Sequence, residues 1–134
     1  MIDYLNEIFT SVATKVREEH PSITITGEYT RQPSKVPTAT LDEIENVTVD
    51  RLEDSSNSER FSGLTYRLQV FSNKQSGKKA EARAIFATAD GVLRSLGFRR
   101  MTYSTTPEIY ESTIYSITAT YEAIAGADGV MYKR

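Results

Sequence analysis

The chain contains no cysteine and no tryptophan, a single histidine, and four prolines. Without cysteine there is no disulfide, no thiolate metal site and no cysteine nucleophile, so the redox compartment goes unmarked. Neither sign of charge dominates: 16 basic and 18 acidic residues leave a formal charge of -2. That balance predicts neither a strong nucleic-acid footprint nor a polybasic membrane patch. No segment approaches the roughly 18 uninterrupted apolar residues of a membrane helix, and MIDYLNEIFTSVATKVREEH has early acidic residues and no apolar block of signal-peptide length. The expectation is a soluble protein made and kept in a cytoplasm, without membrane contact. No fixed-period repeat or long low-complexity tract is present.

What is there is amphipathic patterning. A chain of 134 residues fits one domain that buries roughly two thirds of its unfolded surface. Ile2, Leu5, Ile8, Phe9, Val12 and Val16 recur every three or four positions, predicting a helix from about Asp3, its N-cap, to Glu19. Pro21 closes it, because proline disfavours helical geometry at His20. SITITGEY predicts a short strand ending near Gly27. After the turn region TRQPSKVP, TATLDEIENVTV reads as a second strand that could pass a bend into a third.

The stretch from Asp50 to Ser62 is polar and rich in turn formers, the best loop candidate in the chain. GLTYRLQVFSNK then alternates, with Leu64, Tyr66, Leu68 and Val70 on one face. A second helix carries Ala82, Ile85, Phe86, Ala89, Val92, Leu93 and Leu96 as its stripe, with Ser76 as the expected N-cap and Gly97 at the left-handed cap position. Gly91, inside that helix, suggests close approach to a sheet. Two strands follow: FRRMTYSTT, with Met101 and Tyr103 expected inward, and YSITATYEAIAG. In the latter Tyr115, Ile117, Ala119, Tyr121 and Ala123 alternate with Ser116, Thr118, Thr120 and Glu122. The order predicts an α+β domain over residues 1–126, a mostly antiparallel sheet with both helices on one face, followed by a tail, 127–134, that is either disordered or a docking arm.

Constellations for chemistry are sparse. His20 sits at a helix end with no orienting partner nearby in sequence, and the bland reading is a contact with the last carbonyls. SGKK lacks a phosphate loop's pattern, since Ser72 stands where the first glycine belongs and Lys79 where Ser or Thr does. Asp50, Glu53 and Asp54 match no calcium-loop spacing. Asp42, Glu43 and Glu45 form another acidic group with nothing to fix a catalytic separation. Arg99 and Arg100 are the clearest local basic spot, suited to phosphate, to carboxylates of another subunit or to a helix dipole. These readings predict no cofactor and no metal, and they favour binding or assembly over catalysis.

The ordered run GLTYRLQVFSNK, KKAEARAIFATADGVLRSLGFRR and IYSITATYEAIAG resembles the tail terminator, or tail completion, proteins of long-tailed bacteriophages. The likeness covers Gly63 to Gly126, and the leading helix fits the family's usual beginning. It implies a non-enzymatic virion protein, assembled in the host cytoplasm, forming a homo-hexameric ring at the head-proximal end of the tail. The partners implied are further copies of the chain, the major tail tube protein and a head-completion or connector protein, with DNA passing non-specifically through the lumen. The candidate assembly or lumen contacts are Arg51, Glu53, Asp54, Arg60, Arg99, Arg100, Ser116, Thr118, Thr120 and Glu122. Alternatives are another phage neck, head-completion or minor capsid protein, or a small ligand-binding or enzyme domain.

Overall fold

The computed structural model describes residues 4–29, 36–48, 61–73, 76–106, 114–126 and 131–132. Helix α1 spans Leu5–Glu19 and buries Ile8, Val12, Ala13 and Val16. Its start differs from the expectation: Tyr4 holds the N-cap position and makes no side-chain cap bond, while Asp3 lies outside the described residues. The Tyr4 hydroxyl instead donates to the Gly126 carbonyl at 2.7 Å, so long-range anchoring replaces a local cap. At the other end the His20 amide bonds the Val16 carbonyl at 2.8 Å before the proline.

Strands β1 (Thr24–Thr26) and β2 (Thr38–Thr48) pair in parallel. The bend expected in β2 is a bulge between Glu43 and Glu45, not a boundary between two strands. Strand β3 runs Phe61–Ser72, so Phe61 and Ser62 belong to the sheet rather than to the loop that the polar composition suggested. Ser62 is fully buried and pairs with Ala125; two small residues, Ser62 and Gly63, conceal the strand's start. The rest of that stretch, 50–60, lies outside the described residues.

Helix α2 covers Lys78–Ser95. Its N-cap is Gly77, at φ 95°, rather than Ser76. A left-handed turn, open to glycine at little cost, sets the helix start here in place of a side-chain cap. The far end is a Schellman closure: the Phe98 amide bonds Leu93 and the Gly97 amide bonds Arg94, each at 3.0 Å. Gly97 has φ 101°, and the flanking Leu93 and Phe98 are both buried.

The chain continues as β4 (Arg99–Thr106), β5 (Tyr115–Gly126) and β6 (Met131–Tyr132). The last of these pairs with Ile124 and Ala125 of β5, so Met131 and Tyr132 extend the sheet where a disordered or docking tail was expected. Strand order is β1-β2-β3-β5-β4, antiparallel apart from β1 with β2. Strands β3 and β4 therefore run the same way with β5 inserted between them, and the parallel relation is spanned by α2, as such crossovers require.

Leu64, Tyr66, Leu68 and Val70 of β3 and Ile117, Ala119, Tyr121 and Ala123 of β5 are fully buried on the helix side. The rings of Tyr66 and Phe98 lie 5.1 Å apart. This is the α+β single sheet with helices on one face that the patterning predicted. Gly91 does not serve the close approach: it is exposed, and a Cβ there would meet nothing within 4 Å. Ala82 and Ala89 of α2 and Ala119 and Ala123 of β5 are small residues fully buried in the shared core.

Candidate assembly surface

The face opposite the helices is built from the other parity of each strand. Its rows cross the sheet in register. Asp42, Arg67, Thr120 and Thr102 form one row, and Thr40, Gln69, Thr118 and Ser104 the next. A third row is Glu45, Thr65, Glu122 and Arg99. The Thr40 row is thus wholly hydroxyl and amide, while the other two rows mix hydroxyls with both signs of charge.

One corner is covered. Thr38, Thr40, Gln69 and Phe71 all point to this side yet are buried, and the Thr40 hydroxyl donates to the Gln69 side-chain oxygen at 2.7 Å. The chain leaving β1 passes here, placing the Tyr29 ring 4.0 Å from the Arg67 guanidinium. Arg67 also makes a two-pronged pair with Asp42, Nη2 to Oδ2 at 2.6 Å and Nε to Oδ1 at 3.2 Å. The acidic group of β2 is therefore divided, with Asp42 neutralised on this face and Glu43 turned to the other side beside Tyr66.

Toward β4 and β5 the face is open. Ser116, Thr118, Thr120 and Glu122 are half-buried, because β3 and β4 flank their strand. Thr120 is engaged within the sheet. Its hydroxyl lies 2.8 Å from that of Thr102, and its amide donates to the same Thr102 oxygen at 3.2 Å, patching the ladder beside a bulge. That bulge falls between Arg100 and Thr102 and carries Met101, which is 45% exposed rather than inward. Tyr103 does face the helices, its ring edge-on to Phe86 at 5.1 Å, yet it is 44% exposed because β4 is an edge strand.

Arg99 and Arg100 do not form a single basic spot. Adjacent strand residues point to opposite faces, so Arg99 stands beside Glu122 on the open face while Arg100 turns toward α2. There its Nη1 lies 3.3 Å from Asp90 Oδ1. Asp90 also accepts from the Tyr121 hydroxyl at 2.6 Å and pairs with Arg94 Nε at 3.1 Å. Burial raises the Tyr121 phenol well above its ordinary value, and the Asp90 bond and charge push the same way; Arg100 and Arg94 pull back in part. On the same side His20 Nε2 reaches the Thr88 hydroxyl at 3.2 Å, linking the C-terminal end of α1 to α2.

Of the sequence-predicted contacts, Arg99, Ser116, Thr118, Thr120 and Glu122 share the open face, and Arg100 does not. Arg51, Glu53, Asp54 and Arg60 lie outside the described residues. Asp90 was missed, although an Asp–Arg pair four apart on a helix is a readable sign of an ion pair. The described residues contain no group of three or more His, Asp or Glu side chains placed to hold a metal, and no helix among them is long and apolar enough to cross a membrane. No protein-family model matches the chain, and no curated protein does either.

Proposed function

We propose that the chain is a structural subunit of a long-tailed bacteriophage virion, a tail terminator whose copies close into a ring. The ring caps the last layer of tail-tube subunits, stops their polymerisation and joins the tail to the head connector. One observation carries this reading. The stretches that bear the resemblance, β3, α2, β4 and β5, pack as one layered unit whose helices occupy one face, leaving a hydroxyl face and strand edges for partners. Head-to-tail contacts between copies use different surfaces of each subunit, and such contacts close when the rotation per copy divides a full turn.

In that ring the hydroxyl face looks toward the lumen. Thr118, Thr120, Thr102 and Ser104 present short neutral groups, and the Arg67 charge is met by Asp42. DNA passing such a wall finds few fixed cations to release its counterions, so it is not held. The work is assembly, with no bond made or broken.

Electron microscopy of particles made without the protein tests the reading. The expected result is tail tubes of uncontrolled, excess length that do not join heads, with normal length restored when the protein is supplied. Tails of normal length in its absence overturn the terminator role. If those tails also fail to join heads, the chain belongs elsewhere in the neck.

A further inference from the structure

We propose that the outer edge of β4, with the basic side of α2 next to it, docks an acidic extended segment of a partner protein, which joins the sheet as a further strand. The charged part of this surface lies on the helix side, apart from the hydroxyl face assigned to the lumen, and its role does not depend on the terminator reading. Among the described residues β4 pairs only with β5 and ends the sheet order. The outer side of Arg99–Thr106 therefore carries no ladder partner there, and residues 99–105 are all exposed.

Sheet edges are ordinarily guarded by charge, proline or a bulge along their length. Here the bulge between Arg100 and Thr102 guards only the start of the strand. Beyond Arg100 the residues Met101 to Thr106 include no charge and no proline. Such an edge offers its backbone donors and acceptors to an added strand, which fits a surface that is covered in use.

Charge selects the occupant. Lys79, Arg83, Asp90 and Arg94 recur at steps of four, seven and four residues, which sets them on one side of α2 with Phe86. That side is turned to β4, because Phe86 meets Tyr103 and Asp90 meets Arg100. Lys79 and Arg83 are exposed, while Arg94 and Arg100 both converge on Asp90, so four cations share one carboxylate. Neither nearby acid redresses the surplus: Glu81, on another side of α2, accepts from the Ser72 hydroxyl at 2.6 Å, and Glu122 stands on the open face. On a chain whose total is -2 this is a local positive field, and it attracts acidic side chains.

Dimensions agree. As β4 advances from Arg100 to Tyr103, its contacts on α2 step back from Asp90 to Phe86, so strand and helix run side by side in opposite directions. At a helical rise of about 1.5 Å per residue, Lys79 to Arg94 covers about 22 Å. Strand β4, rising about 3.3 Å per residue, covers about 23 Å. A strand laid on β4 thus follows the whole basic side and turns every second side chain toward it. Aspartate or glutamate at those alternate positions meets the surplus charge, while the segment's backbone pairs with the edge. A nucleic-acid duplex meets the cations but leaves the edge unpaired, so the combination favours polypeptide.

Fluorescence anisotropy at low salt, with a labelled peptide of alternating glutamate and threonine, tests the pairing on the full chain. The peptide should bind saturably, at least about tenfold tighter than its lysine-for-glutamate counterpart. The double variant Lys79→Glu, Arg83→Glu should weaken binding about tenfold or more without lowering the melting temperature, since both side chains are exposed. N-methylation of the peptide's backbone amides removes ladder donors and keeps the charge, and it should abolish binding. The absence of saturable binding, equal binding of the two peptides, or undiminished binding by the double variant overturns the proposal. Full binding of the N-methylated peptide also overturns it, because charge alone is then at work. So does a DNA duplex that binds more tightly than the glutamate peptide and is lost in the same double variant, which assigns the basic side to phosphate.

Discussion

Gly91 lies inside α2 and Gly77 caps its start, and the two should respond in opposite ways to the same substitution. Gly91 has an exposed position in the interior of α2 and open space where a Cβ would go. Gly91→Ala should stabilise the fold by about 0.5–1 kcal/mol, seen as a raised denaturant midpoint at unchanged slope. Gly77 holds φ 95° at the helix start, and Gly77→Ala should cost about 1 kcal/mol in the same assay. Tyr121 gives a pH signature. Its phenol pKa is higher in the fold than in the unfolded chain, through burial first and Asp90 second, so the fold binds that proton more tightly. The stabilisation is complete below the unfolded value of about 10 and is lost as pH rises beyond it, with a slope of up to about 1.4 kcal/mol per pH unit. Tyr121→Phe should cost about 1 kcal/mol at neutral pH and flatten the alkaline decline. Parallel declines in both proteins, followed by chemical denaturation, would contradict this account.

At the scale of elements, the buried stripe of α2 includes the small residues Ala82 and Ala89, which share one core with the sheet. Ala89 is fully buried, and Ala89→Leu should destabilise by about 1–3 kcal/mol through overpacking, measured as a lowered denaturant midpoint. The helical stripe and the alternation of β3 and β5 were legible in the sequence, because periodicity reports which face is buried without needing a partner's identity. Element ends were less legible. At Tyr4 an anchor to Gly126 takes the place of a cap, and at Gly77 backbone conformation replaces a hydroxyl; neither is a local composition signal. Strand β4 misled the alternation rule because its bulge resets parity between Arg100 and Thr102, exposing Met101. The open face was readable as a row in β5, but its neighbours across the sheet depend on register. Hence Asp42 with Arg67, and Asp90 with Tyr121, emerged only from the paired strands and the packed helix.

For the whole molecule, the question is how charge is distributed over a subunit whose total is only -2. The ionisable residues of β2 are all acidic and those of β4 all basic, while the face between them keeps Arg67 matched by Asp42. A lumen lined by that face should therefore pass DNA without gripping it. Fluorescence anisotropy with a duplex should show binding no tighter than about 10⁻⁴ M at physiological salt, with little dependence on salt concentration. Thr118 is half-buried beside Ser104 on the open side of the sheet, so Thr118→Lys tests whether the face is reachable. It should leave the fold intact and, once copies assemble, confer binding that weakens steeply as salt rises, because each added lysine neutralises a phosphate and releases a counterion. Strong salt-dependent binding by the wild-type protein would contradict a neutral passage. A Thr118→Lys ring with no gain in binding would place the face away from the lumen, against tube or connector, where the same substitution should instead weaken tail joining.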